Sequence, residues 1–89
     1  MTKIKDLMTS MSAKNFQSVR GWVVDNLDND QVQIFRKIYE SLSEHLEPQS
    51  IPADILIIAE YQYKSAFVAD QEINLVACIV ELMMGCEFK

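Results

Sequence analysis

Apolar positions recur along this chain at helical rather than strand spacing. Ile4, Leu7, Met8 and Met11 follow the i, i+3, i+4, i+7 pattern of a single buried stripe, and Thr2 is placed to cap the helix they define. Ser10-Met11-Ser12 interrupts this run. A second stripe, Phe16, Val19 and Val23, is flanked by Trp22 and Val24 and ends around Asp25-Asn26. The clearest helix is LDNDQVQIFRKIYESLSEHL. Asp28 or Asn29 caps its start, Ile34, Phe35, Ile38, Leu42 and Leu46 share one face, and Arg36, Lys37, Glu40 and Glu44 share the other. Pro48 ends it.

A fourth helix is expected from Ser50, a good N-cap, with Pro52 in a first turn that does not need its N–H. Helical phase makes Ile51, Ile55, Ile58 and Ala59 its main face, broadened by Leu56, Tyr63 and Phe67. Ile57 and Tyr61 then project on the far side, beside an exposed Glu60–Lys64 pair. The last helix, INLVACIVELMMGCEF, spans Ile73 to Phe88 behind the acidic first turn of Asp70 and Glu72. Asn74, Glu81 and Gly85 form one narrow seam. Ile73, Val76, Ala77, Val80 and Met84 lie to one side of it, and Leu75, Ile79, Leu82 and Cys86 to the other.

A membrane span needs about 20 consecutive apolar residues. This run is shorter, and Asn74 and Glu81 interrupt it, so a span is excluded. A helix apolar around most of its girth must instead be buried from several sides. Together the patterns predict an all-α fold, a compact bundle of about five helices forming one domain over residues 1–89. A chain of 89 residues buries only roughly 60–65 % of its unfolded surface, so the core is thin. Apolar surplus on the last two helices then calls for another chain.

Charge and chemistry narrow the function. Eight basic residues face 13 acidic ones, for a formal charge of −5. That balance opposes direct binding of nucleic acid or of an anionic membrane. Cys78 and Cys86 lie eight residues apart in one helix, about 12 Å along its axis, too far for a disulfide. They read as free, buried thiols of a reducing compartment, and MTKIKDLMTS lacks the apolar stretch and cleavage site of a signal peptide. The expected location is cytoplasmic.

No catalytic, cofactor or metal residues are expected. His45 is the one histidine, at the edge of an apolar helix face, with nothing to orient it toward either cysteine. Two cysteines in one apolar helix do not make a zinc site. DNLDND fails the calcium-loop pattern, because counting from Asp25 puts Leu27, Asp30 and Arg36 where an oxygen donor, Gly and Glu are required. Acyl carrier proteins share the size and acidity, but their Asp-Ser-Leu motif is absent. Trp22 and the methionines at 8, 11, 83 and 84 read as core or interface positions.

The stretch from Phe16 to Lys89 resembles the C-terminal collar domain of sliding-clamp loader ATPase subunits from T-even-like bacteriophages, relatives of the replication factor C small subunits. The resemblance rests on EHLEPQSI, Glu44 to Ile51, on the apolar helix after it, on the short loop near Ser65–Ala69, and on the final helix that opens with Glu72 and closes on Phe88-Lys89. It implies a helical collar that holds a five-subunit loader ring together during DNA replication, with other loader subunits as partners. Sliding clamp, ATP and primer–template DNA would be engaged only through an AAA+ module, whose G-x-x-x-x-G-K-[ST] and acidic Walker B motifs are missing here. On that view the chain is an isolated collar fragment whose Met1 is an artificial start, acting in the cytoplasm of an infected bacterium. It is expected to be no enzyme.

Helical phase gives Ile57, Tyr61, Leu75, Ile79, Leu82 and Phe88 as the expected subunit contacts. The alternative is a stand-alone, small, acidic helical phage adaptor or inhibitor that binds a host protein through the same surface. An enzyme built on Cys78 or Cys86 is the third and weakest reading.

Overall fold

The computed structural model describes residues 3–89. Thr2, expected as the first cap, lies outside them. The chain forms α1 (Ile4–Ser12), α2 (Phe16–Asn26), α3 (Gln31–His45), a 3-10 turn at Pro48–Ser50, α4 (Ile51–Lys64) and α5 (Gln71–Gly85). This is the all-α bundle of five helices that the spacing predicts. Around the core the neighbour order is α1, α2, α5, α4, α3 and back to α1, so sequence neighbours α2 and α3 are not the main packing partners.

Local chemistry sets where the helices begin. Asn15, Asp30 and Asp70 each present a side-chain oxygen to a free backbone N–H, from Ser18 at 3.1 Å, Val32 at 3.0 Å and Ile73 at 3.1 Å. The cap of α3 is therefore Asp30, not Asp28 or Asn29, and the helix starts one or two residues later than those caps imply. Between α1 and α2, Lys14 sits in the left-handed region at φ 58°. The N–H groups of Lys14 and Asn15 donate back to Met11 and Ser10 at 3.1 and 2.9 Å, closing the C-terminal end of α1. Lys14 Nζ reaches on to the carbonyl oxygen of Met83, placing a cation at the negative end of α5.

Leu7, Met8, Met11, Val19, Val23, Ile34, Phe35, Ile38, Leu42 and Leu46 are all buried. The stripes of the first and third helices thus point where their periodicity requires. Trp22 is buried as well, and its indole N–H donates to the Lys3 carbonyl at 3.1 Å, tying the start of α1 to α2. Phe16, counted in the second stripe, lies instead on the surface. It occupies the first turn of α2, beyond the reach of the core.

α3 ends at His45, before Pro48, and Leu46 pairs in an isolated antiparallel bridge with Phe88. Glu47 N–H donates to Glu87 O at 2.8 Å, and Lys89 N–H to His45 O at 2.9 Å. The Ser50 hydroxyl makes no cap on α4. It accepts from the Glu87 N–H at 2.8 Å, while the Cys86 thiol donates to the Ser50 carbonyl at 3.8 Å. EHLEPQSI and the C-terminal CEFK, far apart in sequence, are thereby one structural unit. The last helix correspondingly stops at Gly85 rather than at Phe88.

Candidate interaction surface

The two most apolar helices orient differently from the phase-based expectation. On α4 the inward residues are Asp54, Ile57 and Ile58, with Tyr61 half-buried beside them. The expected main face is turned outward: Ile55, Leu56, Tyr63 and Phe67 are exposed, Leu56 by 72 %, and the Tyr63 and Phe67 rings pack on each other at 5.1 Å. Ile58 alone of that set is buried. α4 therefore carries an exposed apolar strip along its outer side.

On α5 the inward flank is Leu75, Cys78, Ile79, Leu82 and Met83, with Asn74 buried at its edge. Leu75, Ile79 and Leu82 are wholly inaccessible, so their assignment as subunit contacts is corrected: they are this chain's own core. Phe88 is half-buried in its bridge with Leu46, and Ile57 and Tyr61 line the junction of α4 with α5. The flank left over is Ile73, Val76, Ala77, Val80 and Met84. Ile73 and Met84 are 66 % and 82 % exposed, and the three between them are half-buried. Their spacing makes a continuous stripe about 17 Å long, three turns of helix.

A groove runs along each side of this stripe. Between α5 and α4 lies one of about 430 Å³, lined by Ala53, Ile57, Tyr61, Val80, Glu81 and Gly85 among others. Between α5 and α2 lies one of about 500 Å³, lined by Phe16, Arg20, Glu72 and Ile73 with Val76 and Val80. Small residues keep the first groove open. A Cβ at Gly85 would meet only the Ile57 Cδ1 at 3.8 Å.

The polar rim is specific. The Tyr61 hydroxyl donates to Glu81 Oε1 at 2.7 Å, and that bond, with burial, pushes the phenol up to about 12. Lys64 Nζ stands over the Tyr61 ring at 5.1 Å and pairs with Glu60 at 3.3 Å. Arg20 approaches Glu72 at 3.8 Å. Every charged residue within α5 is acidic, Glu72 and Glu81, and among the described residues no cation pairs with Glu81.

Behind the surface, Asp54 is fully buried and neither carboxylate oxygen has a hydrogen-bond partner among the described residues. Burial pushes its carboxyl up to about 6. Sequence reading passed over Asp54, although its spacing to Ile57, Ile58 and Tyr61 is that of one helix face. Cys78 and Cys86 are free and buried, and burial raises both thiols, the opposite of an activated thiolate. His45 Nδ1 is engaged with the Ser41 carbonyl at 2.8 Å. Among the described residues no three His, Cys, Asp or Glu side chains cluster as metal ligands, and no helix is long and apolar enough to cross a membrane.

The chain matches no protein-family model and no curated protein sequence.

Proposed function

We propose that this chain is an oligomerisation domain of the collar type, joining the subunits of a sliding-clamp loader during DNA replication. The observation that carries the reading is the outward stripe of α5, which leaves Ile73 and Met84 largely in water. Covering such a stripe removes apolar surface from water at about 25 cal/mol per Å², and a monomer gains nothing from exposing it. The resemblance of residues 16–89 to phage loader collars supports this particular assembly. So does the joining of EHLEPQSI to the C-terminal strand-like segment, which unites the stretches on which the resemblance rests. The domain neither binds nor hydrolyses ATP in this reading. Its partners are other loader subunits in the cytoplasm of an infected bacterium.

Gel filtration with the loader ATPase subunits encoded in the same genome tests the reading. Comigration that Val80→Glu abolishes is the expected result. Absence of comigration, with capture of an unrelated host protein through the same stripe, would instead establish the stand-alone adaptor.

A further inference from the structure

The acidic rim of the α5 stripe carries information about its partner. The stripe repeats at i, i+3, i+4, i+7 over three turns, so the shape that fits it is another helix laid along its grooves. Ala53, Ala77 and Gly85 border the α4 side and let such a helix approach closely. Glu81 stands at the same rim, held in place by the Tyr61 hydroxyl and paired with no cation among the described residues. Glu60 and Glu72, in contrast, already have Lys64 and Arg20.

A second copy of α5 is a poor occupant. It would bring two copies of Glu81, neither paired with a cation among the described residues, to one seam, on chains that each carry a formal charge of −5. Like charges set against each other across an interface disfavour that pairing.

Resting on the reading of α5 as the contact surface, we propose that the α4–α5 groove seats a helix of a different chain that flanks its aliphatic stripe with Lys or Arg, one of these cations meeting Glu81. The aliphatic stripe supplies the affinity. The cation fixes the register and discriminates against acidic helices.

Two synthetic peptides, each three to four helical turns long with the same Leu/Ala stripe, test this when titrated into the isotope-labelled chain. One peptide is flanked by Lys and the other by Glu. The Lys peptide is expected to shift the methyl signals of Ile57, Ala77 and Val80 and to bind at least tenfold more tightly than the Glu peptide. Glu81→Gln should weaken it about two- to fivefold, the range of a partly exposed ion pair, and flatten its salt dependence. Equal affinity for the two peptides, or shifts confined to Leu56 and Phe67, would overturn the proposal. So would a dimer of the chain in sedimentation that Val80→Glu dissolves, since a second copy would then own the groove. Preference for the Lys peptide without comigration with loader subunits keeps this inference and removes the collar. Comigration lost in Val80→Glu but indifferent to Glu81→Gln and to peptide charge does the reverse.

Discussion

The hydroxyl of Tyr61 donates to the carboxylate of Glu81 across the junction of α4 and α5, at 2.7 Å. The two residues lie 20 positions apart, and the bond fixes the spacing of the helices that border the outward groove. Tyr61→Phe keeps the ring and deletes the donor, at an expected cost of about 1 kcal/mol by urea unfolding. Since the bond holds the phenol protonated up to about 12, its stabilisation is complete below pH 10 and lost as pH rises toward 12. Wild type and Tyr61→Phe should therefore converge in stability across that window.

Asp54 opposes folding at neutral pH. Its carboxyl is raised from 3.8 to about 6 by burial, so between those values the folded state holds a proton that the unfolded state has released, and above about 6 it must hold a buried carboxylate instead. That relative stability is full below pH 4 and is lost as pH rises through 6, by at most about 3 kcal/mol for two pKa units. Asp54→Asn should be more stable than wild type at pH 7.5, with the advantage shrinking as pH falls below 6 and gone near pH 4. An advantage that stays constant over that range would show that the carboxyl is not desolvated.

Leu82 and Met84 sit two residues apart on opposite flanks of α5. Leu82→Ala should cost about 2–5 kcal/mol, the range for truncating a buried leucine. Met84→Ser, at a side chain 82 % exposed, should fall within about 0.5 kcal/mol of wild type while weakening binding to any partner seated on the stripe. Thermal unfolding and a binding titration on the same pair of variants separate core from surface.

Lys14 combines a strained backbone with a useful side chain. Left-handed geometry costs a non-glycine residue about 1 kcal/mol, whereas the bond from Nζ to Met83 O secures the end of α5. Lys14→Met keeps the strain and loses the bond, so it should destabilise by about 1–2 kcal/mol. Lys14→Gly loses the bond but relaxes the backbone, and it should be the more stable of the two variants in denaturant unfolding.

Some of the fold is legible in the chain because one helix face is polar. In the third helix Arg36, Lys37, Glu40 and Glu44 mark the solvent side, and Ile34, Phe35, Ile38 and Leu42 go inward without ambiguity. The first helix behaves alike. The start of the third helix is less legible, since Asp28 and Asn29 are equally capable caps by residue type and only the backbone geometry selects Asp30.

The candidate surface was present in the sequence as a surplus but not as a location. Hydrophobic attraction has no direction, so periodicity identifies an inward face only where the opposite face is charged. α4 and α5 are apolar on both flanks, and the sequence could show that one flank of each must be exposed without showing which. Tertiary packing decided it. α5 is held between α4 and α2, which turns Leu75, Ile79 and Leu82 inward and leaves Ile73, Val80 and Met84 facing out. The same packing buried Asp54 and turned the Ser50 hydroxyl from a cap into an acceptor for Glu87. Each of these depends on what the neighbouring helix presents, a quantity that no single helix's own spacing contains.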